Sequence, residues 1–80
     1  MEGVRQMHIY RYGTLMRPPG PGAVPRRGLL QVKNVHQHAP SGHKTWGWAE
    51  YDRPLTDEEI EEYELEFIAI TVINDGKDEP

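Results

Sequence analysis

Three histidines, His36, His38 and His43, stand within eight residues in an H-x-H-x4-H pattern. Imidazoles at such spacing suit zinc, copper or nickel, and a loop can wrap the ion. Two features oppose a metal centre. His36 and His38 would have to converge on one side, and no carboxylate lies between residues 36 and 43 to complete the shell. A solvated polar loop is the simpler reading, and neither a metal nor another cofactor is expected. Glu58, Glu59, Glu61, Glu62, Glu64 and Glu66 are a second set. Paired acids do acid–base work where burial drives their pKa values apart. Here a solvated face and the N-terminal dipole of a short helix account for every one. There is no G-x-S-x-G, no P-loop lysine, and Ser41 is the only serine. The chain has no cysteine, which removes disulfides, thiolate metal sites and thiol nucleophiles. An enzyme is not expected.

Binding is the remaining class. Tyr10, Arg11, Tyr12, Arg17, Arg26, Arg27, Lys33, Trp46 and Trp48 could form a sheet face that stacks bases and tracks phosphates. Strand parity opposes this by separating Arg11 from Tyr10 and Tyr12. A domain of this size also needs most of its aromatics in its core. A proline- and glycine-rich segment beside Trp46 and Trp48 would instead suit a protein partner. The candidate binding surface comprises Tyr10, Tyr12, Arg17, Pro18, Pro19, Pro21, Arg26, Arg27, Trp46 and Trp48. The expected function is a non-enzymatic interaction or accessory protein with a protein partner. The alternative is a nucleic-acid-binding module that uses the basic N-terminal half and loses affinity steeply with salt.

That half is distinct. Residues 1–48 hold seven Lys or Arg against Glu2 alone, and residues 49–80 hold twelve Asp or Glu against Arg53 and Lys77. The split either presents a basic surface to an anion or lets the two halves complement each other internally, and the second is the simpler outcome in one small domain.

The elements that must position these residues follow from local pattern. Met7–Tyr12 reads as a strand, with Met7, Ile9 and Arg11 on one face and His8, Tyr10 and Tyr12 on the other. Arg17–Pro25 (RPPGPGAVP) has four prolines and two glycines and must be a loop. Leu29–Val35 is a second strand, with Leu30 and Val32 on one face and Leu29 and Val35 on the other. His36–Lys44 is turn-rich. Thr45–Tyr51 is a third strand that projects Trp46 and Trp48 from the same side. Thr56 and Glu59 form a capping box, with Leu55 and Ile60 as its hydrophobic staple, opening a helix over Asp57–Tyr63. Glu64–Ile73 is the last strand, alternating at first and then apolar through Ile68, Ala69, Ile70, Val72 and Ile73. Left at a sheet edge it is a hazard that a second copy would cover, so a homodimer is considered. The fold class is α+β: a small, mainly antiparallel sheet of three or four strands in the order β-β-β-α-β, one short helix and a long Pro-Gly loop. One domain spans residues 1–80, ordered over about 7–73 with flexible ends. Its expected core draws on Ile9, Leu30, Val32, Trp46, Trp48, Leu55, Ile60, Leu65, Phe67, Ile68, Ile70 and Val72.

Two stretches, RPPGPGAVPRRGL and the later W-A-E-Y-D-R-P-L-T-D-E-E-I-E-E-Y-E-L, carry a resemblance. The chain resembles a group of short bacterial proteins associated with phage-like or mobile elements in Gram-positive bacteria. In that group a Pro-Gly-rich front precedes a YxRPLTxxExxxYEL ending. The resemblance covers about residues 8–67. It implies a compact domain of bacterial, cytoplasmic origin, and it supplies no catalytic residue, cofactor or activity. No apolar run approaches the ~20 residues of a membrane helix, and no secretory leader is expected from the first residues.

Overall fold

The capping box closes as its residue types require. Glu59 N–H donates to Thr56 Oγ1 at 3.1 Å, and Thr56 N–H donates to Glu59 Oε1 at 2.9 Å. The helix it opens, α1, is short, running over Asp57–Glu62. It stops where Tyr63 caps it and Glu64 takes a left-handed φ of 55°. The computed structural model describes residues 6–74, so the expectations for residues 1–5 and 75–80 lie outside the described residues. Among the described residues six strands accompany α1: β1 (Gln6–Thr14), β2 (Leu29–Lys33), β3 (Gln37–His38), β4 (Lys44–Thr45), β5 (Gly47–Tyr51) and β6 (Leu65–Asn74). Four build an antiparallel sheet in the order β2-β5-β1-β6, and β3 pairs with β4. The fold is α+β with one short helix.

The four strands of the main sheet and α1 follow the expected β-β-β-α-β order along the chain, and a separate two-stranded ladder is added in the middle. The turn-rich stretch supplies β3, and the third strand divides into β4 and β5 at Trp46. Packing forces the break. A Cβ at Gly47 would run into the Lys33 carbonyl oxygen and reach Pro19 Cδ at 2.7 Å, so only glycine lets β5 begin there. Trp46 is consequently turned out at 43% exposure, while Trp48 is buried at 8%.

Cross-strand partners share a sheet face, so the register assigns both faces. One carries the rows Leu29–Tyr51–Tyr10–Ile70 and Val32–Ala49–Tyr12–Phe67. The other carries Gln31–Glu50–Arg11–Ala69 and Lys33–Trp48–Gly13–Glu66. Leu29 and Val32 thus lie on the same face, against expectation, because a register shift at Leu30 offsets β2 by one residue.

The core sits on the tyrosine face. It comprises Tyr12, Val24, Ala49, Tyr51, Leu55 and Leu65, with Tyr10, Leu29, Ile60 and Tyr63 packed against it. Tyr51 donates its hydroxyl to Pro25 O at 2.6 Å, and Leu55 N–H donates to Tyr12 Oη at 3.0 Å. Both hydroxyls are buried yet partnered, and each fixes a covering segment to the sheet. Pro19, Ala23, Val24 and Pro25 are buried, so part of the Pro-Gly loop is a cover for the core. Leu30, Val32, Trp46, Phe67, Ile70 and Val72, expected inside, are exposed instead. The last three lie on β6, which ends up at the sheet edge rather than inside it.

Candidate partner-binding surface

The three histidines do not meet. His36 packs edge-on against the Trp46 ring, with centroids 5.4 Å apart. His38 lies opposite Lys44 in the β3–β4 ladder. His43 Nδ1 lies 2.8 Å from Glu66 Oε1 and 2.9 Å from Ser41 Oγ. The Ser41 hydroxyl and then His43 hold the Glu66 carboxyl below its usual range. Among the described residues no three His, Cys, Asp or Glu side chains gather as metal ligands.

The charged halves do meet. Arg11 pairs with Glu50 at 2.6 Å, Arg17 with Glu64 at 2.9 Å and His43 with Glu66 at 2.8 Å, each joining the basic half to the acidic half. Glu50 is buried, accepts two hydrogen bonds from Arg11 and a third from Gln31 Nε2 at 2.7 Å. The Arg11 guanidinium lies 4.0 Å over the Trp48 ring centroid. This row is an internal brace that fills one face of the sheet.

The candidate residues therefore separate. Tyr12, Pro19 and Trp48 are buried and present no surface. Tyr10 is half-buried, its ring stacked on His8. Arg17 is exposed but held by Glu64. Pro18, Pro21, Arg26, Arg27 and Trp46 are exposed. They do not form one patch. Leu29, two residues after Arg27, pairs with Tyr51 at one end of β5, whereas Trp46 precedes Gly47 at the other. Four residue steps at ~3.3 Å put about 13 Å between those ends. Pro19, packed on Gly47, belongs to the Trp46 end.

At that end lies a groove of about 460 Å³, lined by Leu15, His36, Gln37, His38, Lys44, Thr45 and Trp46. The β3–β4 ladder holds its wall. Ala39 N–H donates to His43 O at 2.8 Å, Gly42 N–H to Ala39 O at 2.8 Å, and Thr45 Oγ1 to Gln37 O at 2.9 Å. Leu15 is fixed by its N–H bond to Glu64 O at 3.1 Å, and Trp46 by its N–H bond to Thr14 O at 2.9 Å. Its lining combines the Leu15 side chain and the Trp46 indole with an ammonium and two imidazoles. Met16 stands exposed beside Leu15. Such a groove can take an apolar or aromatic side chain while its rim meets carboxylates. Leu15, His36, His38 and Lys44 were not among the expected surface residues. Ser41-Gly42 between two short polar runs is a hairpin signal that could have brought them together.

Comparison with known proteins adds an independent finding. The family model described as Defence against restriction A C-terminal matches residues 7–69. The Defense against restriction protein A of Escherichia phage P1 is 35% identical over 60 residues, covering 74% of this chain and 9% of that protein. The chain thus spans less than a tenth of that relative's length. The expected link to phages and mobile elements is supported by both matches. No solved structure matches. Among the described residues no helix is long and apolar enough to cross a membrane.

Proposed function

The chain belongs to the Defence against restriction A C-terminal family, and from that premise we propose that it is a non-enzymatic accessory domain serving a phage or mobile element against restriction, by holding a protein partner. The partner is a segment with an apolar or aromatic anchor flanked by carboxylates. It docks in the Trp46 groove, with Met16 and, from the Pro-Gly loop, Arg17 and Pro18 at its margin.

The observation that carries this reading is an exposed Trp46 in a groove that Leu15, Lys44, His36 and His38 also line. Exposed tryptophans in such settings anchor interfaces. The nucleic-acid alternative draws on the same ring and on the basic half. It is weakened because Arg11 and Arg17, two of its phosphate candidates, already neutralise Glu50 and Glu64. Arg26 and Arg27 lie at the far end of β5.

Amide NMR spectra of the labelled chain test both readings. One titration uses a peptide with a central Trp flanked by Asp and Glu, and the other a mixed-sequence single-stranded oligonucleotide at low and then moderate salt. Shifts from the peptide at Leu15, His36–His38 and Lys44–Trp46, lost in Trp46→Ser, support the protein-binding reading. Oligonucleotide shifts that fade with salt, with none from the peptide, overturn it in favour of the alternative.

A further inference from the structure

The main sheet has two open edges, and they are not alike. The β2 edge has five residues, is offset at Leu30 and ends in Lys33. Short length, irregularity and a terminal lysine are the usual means of blunting an edge. The β6 edge has ten residues. From Phe67 to Ile73 it reads FIAITVI, with no charge, no proline and no glycine. Its Ile70 and Val72 side chains are each 50% exposed.

The ladder shows which backbone groups this edge offers. Leu15 N–H bonds Glu64 O, so Thr14 and Leu65 form a non-hydrogen-bonded pair and the Leu65 backbone polar groups point away from β1. Parity carries the same direction to Phe67. The register shift at Ile68 then moves it by one, to Ile70 and Val72. The residues whose amides are free to bond outward are therefore the same ones whose apolar side chains are exposed beside Tyr10 and His8.

We propose that two copies of this chain pair antiparallel through β6, about a two-fold axis at Thr71, into one continuous eight-stranded sheet. In that register Ile70 faces Val72 of the second copy, and Val72 faces its Ile70. Both are outward-bonding positions, so the two pairs exchange backbone hydrogen bonds on either side of the axis. Thr71 faces Thr71, and Ala69 faces Ile73. No like charges oppose each other between residues 69 and 73. Moving the axis to Val72 would set Ile70 against Asn74. Moving it to Ile70 would bring the offset residue Ile68 opposite Val72. Between residues 69 and 73 the Thr71 register sets apolar against apolar at both outward positions, Ile70 and Val72. This pairing is separate from the groove reading, because it uses the outer edge of β6, whereas the groove is lined by Leu15, β3, β4 and Trp46.

Sedimentation of the full chain over concentrations up to about 0.5 mM, combined with single-cysteine variants, tests the proposal. The native chain is expected to show a concentration-dependent rise to twice the monomer mass. Ile70→Lys with Val72→Lys, at half-exposed positions the monomer does not need, is expected to weaken self-association by roughly 100-fold or more with an unchanged circular dichroism spectrum. Because the chain has no cysteine, Thr71→Cys is expected to form a disulfide dimer on mild oxidation. Ala69→Cys is not, since its two copies would stand about 13 Å apart, beyond the ~7 Å limit for bridging. A native chain that stays monomeric overturns the proposal. So do a dimer indifferent to the paired lysines, and cross-linking through residue 69 as fast as through residue 71.

Discussion

Replacing Arg11 with methionine should cost far more than replacing its partner Glu50 with glutamine. Methionine keeps much of the bulk over Trp48 but removes the charge. Glu50 is then left with only the Gln31 amide in a position where its side chain is 8% exposed. Breaking a fully buried ion pair from one side costs ~3–5 kcal/mol. Arg11 itself is 33% exposed, so water reaches the vacated space and lowers that to about 2 kcal/mol. Losing the guanidinium over the Trp48 ring adds ~0.5–1 kcal/mol. The expected total is about 3 kcal/mol, a large part of the roughly 4–12 kcal/mol available to 80 residues. In Glu50→Gln, by contrast, the arginine can swing its head to solvent and still donate to the amide oxygen, so about 1 kcal/mol is expected. The double variant should cost less than the sum of the two by roughly 2 kcal/mol. Urea unfolding at pH 7 measures all three, followed by tryptophan fluorescence with circular dichroism as a second probe. Equal costs for the two single variants, or no coupling between them, would show that the pair is solvent-screened and refute the burial argument.

Glu59 carries a pH signature. The two N–H bonds from Arg53, then the Thr56 backbone N–H, hold its carboxyl at about 2 against an ordinary 4.5. A lowered folded pKa means that its contribution is present above pH 4.5 and lost as pH falls toward 2. With a quarter of the side chain exposed, ~1–2 kcal/mol is expected over that window. Unfolding curves should therefore show Glu59→Gln losing less stability than the native chain between those pH values, and parallel losses would disprove the assignment. At Gly47 an added methyl meets Lys33 O and Pro19. Gly47→Ala should lower stability by ~2–3 kcal/mol, a fall in Tm of about 10 °C or more. Gly20→Ala, which meets nothing within 4 Å, should change Tm by no more than about 3 °C; similar shifts for both would contradict the close-approach argument.

What could be read from residues in advance was what neighbours in sequence decide. Thr56, Glu59, Leu55 and Ile60 specify a helix start through contacts between residues three and five apart in sequence, and that start is found where expected. The first and last strands also fall within two residues of their expected bounds, because β-branched and aromatic runs carry their own period. The errors arose where a distant residue decides. One register shift at Leu30 reassigns the faces of β2. The approach of Lys33 and Pro19 to Gly47 ends the alternation that linked Trp46 to Trp48. The apolar run of β6 reads the same whether the strand is central or at an edge, so its sequence points Phe67, Ile70 and Val72 to a core they do not enter. The candidate surface failed as a unit for the same reason. Tyr12 and Trp48 have the right chemistry for recognition, but strand order puts the first under Leu55 and the second under Arg11.

The two proposed surfaces are compatible because β1 separates them. Its Thr14 end leads into Leu15 and the groove, while its Met7–Arg11 end carries the stretch of β6 centred on Thr71. Six or seven residues at ~3.3 Å place them about 20 Å apart. Pairing through β6 therefore leaves both grooves open, one on each copy and related by the two-fold axis. A dimer with two open grooves binds a partner that repeats its docking segment far more tightly than one groove does, provided that the spacing of the repeats spans the pair. The paired lysines at residues 70 and 72 would then abolish that gain while leaving the affinity for a single peptide unchanged. Trp46→Ser would do the reverse, removing peptide affinity while the dimer persists. If instead the lysines weakened single-peptide binding, the groove and the edge would not be the independent surfaces that their positions along β1 require.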